Sequence, residues 1–155
     1  MGSYVVTGPS SGIGAAITAE LDHLGHDVYA GVRTDAAADA LADRSSRRVL
    51  PLRLDVTDPD QVAAAAELVR SKVGRYGLDG LVNNAGIALG GPVEFLPLDE
   101  WRTQFEVNVF GQIAVTQRLM APIRAARGRV VFIGSVAAMV SSPLGAPYGA
   151  SKHAI

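Results

Sequence analysis

Short apolar runs alternate with helix-patterned stretches along the whole chain, and this alternation constrains the fold most strongly. Five runs have the character of buried strands, at residues 4–6, 28–32, 49–54, 78–82 and 129–133. Between them, apolar residues recur at helical spacing. Strands that alternate with helices form βαβ units, which build a parallel sheet with helices on both faces. The sequence therefore predicts an α/β fold, a Rossmann-like doubly wound parallel sheet in three αβα layers.

The predicted helices carry recognisable ends and apolar faces. The first ends at Gly25, and its apolar face consists of Ile13, Ile17, Leu21 and Leu24. An alanine-rich helix is predicted at 35–48. In the third, Asp58 is the predicted cap, Pro59 fits the first helical position and Gln61 is placed to complete a capping box. Its predicted inner face consists of Val62, Ala66, Val69 and Val73. Asp99 caps a long helix to about Ala125, whose predicted face consists of Trp101, Phe105, Val109 and Ile113. A last helix begins at Tyr148.

Composition narrows the class of protein. The 155 residues suffice for one domain with a real core. Fourteen Lys and Arg against fifteen Asp and Glu leave a net charge of −1, which argues against nucleic-acid binding. The absence of a long apolar run or a secretory signal predicts a cytoplasmic protein without a membrane span. The chain has no cysteine, and its three histidines (His23, His26 and His153) lack metal-ligand spacing, so no metal site is predicted.

A glycine-rich loop joins the first predicted strand to the first predicted helix. It reads Thr7-Gly8-Pro9-Ser10-Ser11-Gly12-Ile13-Gly14. Glycines let the backbone approach a pyrophosphate, and a helix N-terminus supplies N–H groups and the positive end of the helix dipole. The spacing Gly-x-x-x-Gly-x-Gly differs from the Gly-x-Gly-x-x-Gly of standard dinucleotide folds. A tight turn without a ligand is the alternative interpretation.

A second motif, Asn83-Asn84-Ala85-Gly86, follows the fourth predicted strand. Asparagine side chains fix turns by hydrogen-bonding to nearby backbone, so this motif alone is explained by a turn. The carboxyl end of a central strand is also where nucleotides bind in such sheets. The Gly- and Pro-rich stretch from Gly86 to Pro97 then forms a long loop, the kind of segment that often carries function.

The third motif combines Ser135, after the fifth strand, with Tyr148 and Lys152. Tyr148 and Lys152 are four residues apart, so on a helix they share a face. A free tyrosine has a pKa near 10, and a neighbouring ammonium group favours the phenolate. Such a pair suits proton transfer. A surface contact between the two side chains is the alternative for the pair alone.

Taken together, these motifs resemble the short-chain dehydrogenase/reductase family, classical type. The matching blocks are the glycine loop at 7–14, the turn at 83–86, Asp55 before Val56 and Thr57, Asn108 in the long helix, and Ser135 with Tyr148 and Lys152. The joint match covers essentially the whole chain.

The resemblance implies four catalytic residues. Tyr148 is implied to protonate a carbonyl oxygen during reduction, and to act as the base in the reverse direction. Lys152 is implied to favour the phenolate and to hold the nicotinamide ribose. Ser135 is implied to orient the substrate oxygen. Asn108 is implied to lie at a local irregularity of its helix and to hold a proton-relay water; a polar side chain satisfied within the helix is its alternative.

The resemblance also implies a cofactor site, and the charge pattern suggests which cofactor. An NAD site usually has a carboxylate at the end of the second strand. Here Val32 and then Arg33 stand at that point, and an arginine can pair with a 2′-phosphate, so NADP(H) is favoured over NAD(H). An exposed charge is the alternative for Arg33. The implied set is Gly8, Ser10, Ser11, Gly12, Ile13, Gly14, Arg33, Asp55 (at the adenine ring), Val56, Asn84, Ala85, Gly86, Tyr148 and Lys152.

Residues 28–33 and 148–152 are most similar to the retinol- and 17β-hydroxysteroid-dehydrogenase-like branch of the family. That branch implies an apolar alcohol or carbonyl compound as substrate. For the full-length protein, the family resemblance implies a homodimer or homotetramer.

The family pattern continues beyond Ile155 with two more strands and a substrate loop. The chain, residues 1–155, is therefore predicted to be a single, incomplete domain, truncated after a fifth strand that forms an exposed edge. The predicted function is NADP-dependent interconversion of a secondary alcohol and a ketone, or of an alcohol and an aldehyde. The alternatives are a catalytically silent dinucleotide-binding module and a regulatory protein on the same fold.

Overall fold

A computed structural model describes residues 1–140 and 142–155. The described residues contain five strands: β1 (Ser3–Thr7), β2 (Asp27–Val32), β3 (Val49–Arg53), β4 (Gly80–Asn83) and β5 (Arg129–Phe132). The α-helices are α1 (Gly12–His23), α2 (Asp35–Arg44), α3 (Pro59–Val73), α4 (Leu98–Phe105), α5 (Gln112–Ala126) and α6 (Ala146–Ala154). A π-helix (Glu106–Gly111) joins α4 to α5, and short 3-10 turns follow α3 and β5.

The strands form one parallel sheet in the order β3-β2-β1-β4-β5. The chain moves outward in one direction from β1 to β3 and in the other from β4 to β5. The direction of winding reverses between β1 and β4, so a crevice opens at the carboxyl ends of these two strands. This arrangement confirms the predicted doubly wound sheet and places all five predicted strands.

Alternate residues of each strand pack on opposite faces of the sheet. Val5 belongs to a core cluster with α3 and α5, whereas the next residue, Val6, belongs to a cluster with Leu41 of α2 and Ile17 of α1. Both strand residues are essentially inaccessible to solvent. Helices therefore cover both faces of the sheet, as the three-layer prediction requires.

Asp58 caps α3 and Pro59 occupies its first turn, as predicted. Gln61 forms no capping box, because its Oε1 accepts from the Asp55 N–H and not from the Asp58 N–H. Asp58 Oδ1 accepts hydrogen bonds from the backbone N–H groups of Asp60 (3.0 Å) and Gln61 (3.1 Å), and Asp58 Oδ2 accepts one from Gln61 Nε2 (2.7 Å). These bonds, led by the one from the Gln61 backbone, hold the pKa of the Asp58 carboxyl below its usual value. The predicted inner face of α3 is buried, at Val62, Ala66, Val69 and Val73.

The predicted face of α1 is wrong in part. Ile13 and Leu24 are each 59% exposed, and the fully buried residues of α1 are Gly14 and Thr18. The cause is the glycine at position 14, which allows the first turn of the helix to lie against the loop after β1. Ile13 then lines the crevice instead of the core.

The long helix also differs from its prediction. It begins at Leu98, and Asp99 pairs with Arg102 at 2.7 Å in the first turn instead of capping it. The π-helix adds a residue to the turn and shifts the buried face. Val109 is buried as predicted, but Ile113 is 44% exposed, and the apolar contacts of α5 are made by Val115, Leu119 and Ile123.

Two other helices differ from their predictions only at their ends. α2 ends at Arg44, four residues early, and α6 begins at Ala146, two residues before Tyr148. Within the described ranges, no helix has the length and apolar character needed to cross a membrane.

Candidate active site

A cleft of about 1230 Å³ lies at the carboxyl edge of the sheet. Its walls come from the loop after β1, the ends of β2 and β3, the loop after β4, and helices α4 and α6. The predicted residues that line it are Gly8, Ser10, Ser11, Gly12, Ile13, Arg33, Asp55, Val56, Asn84, Ala85, Gly86, Tyr148 and Lys152. Of the predicted site residues, Gly14, Asn108 and Ser135 lie outside this lining.

Thr7 joins the two loops that face each other across the crevice. Its Oγ1 accepts hydrogen bonds from the backbone N–H groups of Asn84 (3.0 Å) and Ala85 (2.9 Å). Asn84 Nδ2 donates in return to the carbonyl oxygens of Thr7 and Gly8, each at 2.9 Å. The Asn84 amide group is thus engaged in fixing the glycine loop. Sequence reasoning missed this role of Thr7, because a threonine at a strand end carries no distinctive pattern.

The glycine loop depends on the absence of side chains at particular points. Gly8 has φ +66° and Gly12 has φ +55°, a conformation that favours glycine. Gly14 is required by space: a Cβ atom there would lie 2.3 Å from the Gly8 carbonyl oxygen. The predicted role of Gly14 in the loop is therefore one of packing, since its backbone holds α1 against the crevice wall.

The start of α1 presents unpaired N–H groups to the cleft. Ser11 occupies the N-cap position, but its side chain makes no capping hydrogen bond. The first helical bond runs from Ala15 N–H to the Ser11 carbonyl at 3.2 Å. Within the described part of the chain, the N–H groups of Gly12 and Ile13 have no acceptor. Such groups at a helix N-terminus suit an anionic phosphate.

Arg33 and Asp55 stand at the ends of neighbouring strands. The Arg33 side chain is exposed beside the cleft and forms no ion pair with any described residue. The nearby acid Asp35 is engaged by Arg53 at 2.9 Å. One oxygen of Asp55 accepts hydrogen bonds from the Thr57 backbone (2.9 Å) and hydroxyl (2.7 Å). The cleft therefore has a cation at its β2 end whose charge no carboxylate neutralises in the described residues.

Tyr148 and Lys152 share one face of α6, as their spacing predicts. Lys152 Nζ lies 5.9 Å from the centroid of the Tyr148 ring and donates a hydrogen bond to the Ile133 carbonyl at 2.7 Å. Lys152 is buried, and Tyr148 is half-buried. An ammonium group has three donors, so Lys152 retains two for other partners. Both residues line the cleft next to Gly134.

Ser135 lies three residues after the end of β5, at the predicted edge of the sheet. Its Oγ accepts a hydrogen bond from the Ala137 backbone at 3.1 Å and caps a short 3-10 turn. The hydroxyl proton remains for another acceptor, because a serine hydroxyl both donates and accepts.

Asn108 lies in the π-helix, which confirms the expected irregularity. Its Oδ1 accepts from the Ile87 backbone N–H at 2.9 Å, and its Nδ2 donates to the Ile87 carbonyl and to Ser151 Oγ, each at 3.0 Å. Asn108 is inaccessible to solvent. The side chain thus joins the loop after β4 to α6, and both of its donors are taken. These hydrogen bonds give Asn108 a positioning role between the loop and α6. That it also holds a relay water remains a prediction from the resemblance.

Asn108 is the middle member of a ladder of three buried amides, Gln104, Asn108 and Gln112, spaced four residues apart. Gln104 accepts from Leu89 N–H and donates to the Ile87 carbonyl, each at 2.7 Å. Gln112 donates to the Ala85 carbonyl at 2.8 Å.

Sequence reasoning missed Gln104 and Gln112, because glutamines on a helix are usually exposed. The spacing 104, 108, 112 was the available signal. In the fold, this amide ladder fixes the backbone that forms one wall of the cleft.

Known proteins are similar to this chain in sequence and in fold. The family model for short chain dehydrogenases matches residues 3–155. An NADPH-dependent 3-dehydrocapnine reductase from Ornithobacterium rhinotracheale is 39% identical over 97% of this chain and 55% of its own length. Mouse (Mus musculus) retinol dehydrogenase 5 is 40% identical over 97% of this chain and 47% of its own length.

Solved structures agree. The crystal structure of a short-chain dehydrogenase from Streptomyces avermitilis matches with a TM-score of 0.92 and 34% identity, over 99% of this chain and 57% of that one. The chain thus spans about half the length of the curated relatives described above. Because the family model matches nearly all of it, the chain belongs to the short-chain dehydrogenase/reductase family of oxidoreductases, classical type.

Proposed function

We propose that this chain is the cofactor-binding and proton-transferring part of an NADP(H)-dependent oxidoreductase that interconverts an alcohol and a carbonyl compound. The observation that carries the proposal is that one cleft is lined by the glycine loop, Arg33, Tyr148 and Lys152 together. A silent turn, a surface Tyr-Lys contact and an isolated exposed arginine would not need to meet in one place.

The residues present fit a dinucleotide. Unpaired N–H groups at the start of α1 suit a pyrophosphate, and side chains at Gly8 and Gly14 would push the two cleft loops apart. Arg33 suits a 2′-phosphate, because a guanidinium group binds phosphate oxygens in pairs. Asp55 and Val56 are proposed to lie against the adenine ring, and Lys152 to bind the nicotinamide ribose. When bound, a nicotinamide cofactor supplies or accepts the hydride.

The chain's own part in the chemistry is proton transfer. Tyr148 is proposed to donate its hydroxyl proton to the carbonyl oxygen during reduction and to take it back in oxidation. Lys152 Nζ lies 5.9 Å from the Tyr148 ring centroid and is proposed to supply a positive charge beside the Tyr148 hydroxyl in this step. Ser135 is proposed to donate a hydrogen bond to the substrate oxygen with its remaining hydroxyl proton. Asn108 holds α6 in place through Ser151.

The test begins with binding. We expect the chain to bind NADPH more tightly than NADH in calorimetric titrations, and Arg33→Ala to remove most of that preference. Arg47→Ala, which removes an exposed arginine that forms no hydrogen bond or ion pair with a described residue, is the matched control. Equal affinity of the unsubstituted chain for both cofactors would contradict the NADP(H) assignment, and no binding of either would contradict the proposal as a whole.

Turnover tests the chemical part. We expect NADPH oxidation in the presence of an apolar ketone or aldehyde, and Tyr148→Phe to lower kcat by about 10²- to 10⁴-fold, the usual contribution of a general acid. NADPH affinity should stay within about twofold of the unsubstituted chain, since a ring of the same shape remains. Normal turnover of the phenylalanine variant would exclude Tyr148 as the proton donor.

A second candidate function is a catalytically silent dinucleotide-binding module. The observation behind it is that Lys152 Nζ donates to the Ile133 carbonyl and Ser135 Oγ accepts from the Ala137 N–H, so each group already uses part of its hydrogen-bonding capacity on the backbone. NADPH binding without turnover on any apolar carbonyl compound would support this candidate. The apolar substrate, the homo-oligomer and the cytoplasmic localisation remain predictions.

A further inference from the structure

Arg44, the last residue of α2, contacts the glycine loop from the side that faces away from the cleft. Its Nη2 donates hydrogen bonds to the carbonyl oxygens of Pro9 (3.1 Å) and Ser10 (3.3 Å). Arg44 lines a separate groove of about 360 Å³ between α1 and α2, whereas Ser10 and Ser11 line the main cleft. The loop therefore has the arginine behind it and the cleft in front.

The two bonds fix the direction of the next two N–H groups. In a planar trans peptide, the C=O of one residue and the N–H of the next point in opposite directions. With the Pro9 and Ser10 carbonyls turned toward Arg44, the N–H groups of Ser10 and Ser11 point away from it, toward the cleft. Within the described ranges, neither of these N–H groups has an acceptor.

The segment that carries Arg44 is itself held to α1. Two residues after Arg44, the Ser46 backbone N–H donates to Asp22 Oδ2 at 2.8 Å, and the Ser46 hydroxyl also bonds to the Asp22 carboxylate. Asp22 lies near the end of α1, and the glycine loop lies at its start. Both ends of α1 are thus tied to the end of α2, which limits how far Arg44 can move from the loop.

We propose that Arg44 is a positioning residue that aims the Ser10 and Ser11 N–H groups at the 2′-phosphate of the cofactor. The inference rests on the proposed function. The Gly8 N–H, at the start of the loop, donates to the Gly31 carbonyl at 3.2 Å, two residues before Arg33, so the loop begins beside the β2 end of the cleft that Arg33 lines. Arg33 then supplies the charge, and the loop oriented by Arg44 supplies the fixed donors.

The test uses two fragments that differ in one phosphate, 2′,5′-ADP and 5′-ADP. In calorimetric titrations of the chain, we expect Arg44→Ala to weaken 2′,5′-ADP about tenfold, as the loss of two oriented donors should. The affinity for 5′-ADP should change by less than about threefold. Arg44→Lys, which keeps the charge but cannot span two carbonyls so well, should lie between. Arg47→Ala is the matched control: Arg47 is exposed three residues further on and forms no hydrogen bond with a described residue.

Each outcome has a distinct meaning. Equal weakening of the two fragments by Arg44→Ala would show a general structural role and overturn the proposal. Equal weakening of 2′,5′-ADP by Arg47→Ala would show that only net charge matters, and would also overturn it. If Arg44→Ala does not fold, Arg44→Lys decides, since unchanged 2′,5′-ADP affinity in that folded variant contradicts the proposal. If the unsubstituted chain binds NADPH, and the Arg44→Ala variant and the unsubstituted chain bind 2′,5′-ADP equally well, the inference about Arg44 fails and the proposed function stands. If the unsubstituted chain binds no nucleotide, the proposed function fails with it.

Discussion

A methyl group on Gly14 would lie 2.3 Å from the Gly8 carbonyl oxygen and 2.4 Å from Asn84 Nδ2. Both neighbours belong to the hydrogen-bonded junction between the two cleft loops, so neither can easily move away. We expect Gly14→Ala to lower the free energy of unfolding by about 3 kcal/mol, at the upper end of the usual cost of overpacking. Urea denaturation followed by circular dichroism measures this loss.

Gly12→Ala provides the contrast. A Cβ atom at Gly12 meets nothing within 4 Å, but φ is +55°. The expected loss is about 1 kcal/mol, from backbone conformation alone. Equal losses for the two variants would mean that the crowding at Gly14 does not limit stability.

The cap at Asp58 makes the stability of the molecule depend on pH. Hydrogen bonds from Gln61 and Asp60 lower the pKa of its carboxyl in the folded chain. The stabilisation is therefore fully present above the unfolded pKa of about 4 and is lost as the pH falls through the lower, folded pKa. We expect Asp58→Ala to lower Tm by about 3 °C at pH 7, with the difference shrinking below about pH 4. Thermal melts across this pH range provide the measurement, and a difference that grows in acid would contradict the linkage.

Among the elements, the α4–π–α5 segment is where a polar network replaces an apolar face. Gln104 is inaccessible to solvent and holds the Leu89 N–H at 2.7 Å. Gln104→Leu keeps the volume but leaves that N–H without its partner, which costs about 2 kcal/mol. Urea denaturation measures the loss, and amide hydrogen exchange at Leu89 should become faster.

Gln117→Leu is the control for this prediction. Gln117 is exposed on α5 and forms no hydrogen bond with a described residue, so its replacement should change stability by less than about 0.5 kcal/mol. Slow exchange at Leu89 in the Gln104 variant would show that the amide ladder does not hold the loop.

Comparing α3 with the long helix shows which features of a helix the sequence predicts and which it does not. The apolar period of α3 gave the right buried face, because Val62 and Val69 bury side chains and nothing else decides their orientation. The period of the long helix failed at Ile113, because a π-helix changes the turn without a signature in hydrophobicity.

Within the candidate site, motif residues that line the cleft were predictable from glycine spacing and the Tyr148–Lys152 interval. Supporting residues such as Thr7 and Arg44 were not, since their partners are backbone atoms remote in sequence.

At the scale of the whole molecule, the cleft exists because the winding of the sheet reverses between β1 and β4. Residues from positions 8 to 152 meet there, although no one βαβ unit contains them all. A ligand that bridges these units should stabilise the entire domain. At a free ligand concentration of about 100 times Kd, binding adds about 2.7 kcal/mol to the free energy of unfolding. The site and the fold are therefore coupled, and damage to any contributing loop weakens both.

A second feature of the whole molecule is the unpaired edge of the sheet at β5. Among the residues that the structure describes, this strand pairs with β4 alone, and Val131 and Phe132 are 46% and 38% exposed. An apolar strand at a sheet edge is a template for pairing with another chain. We expect the 155-residue chain to associate as its concentration rises through roughly the micromolar range, where unpaired apolar strand edges begin to associate. Sedimentation velocity measures this association.

Val131→Lys should reduce the association, since a lysine on an edge strand opposes pairing. Val93→Lys, which removes an apolar residue 66% exposed in the loop after β4, should leave association unchanged. Equal effects of the two lysines would assign the association to general surface hydrophobicity, and a monomer at every concentration would mean that the β5 edge is protected within the chain itself.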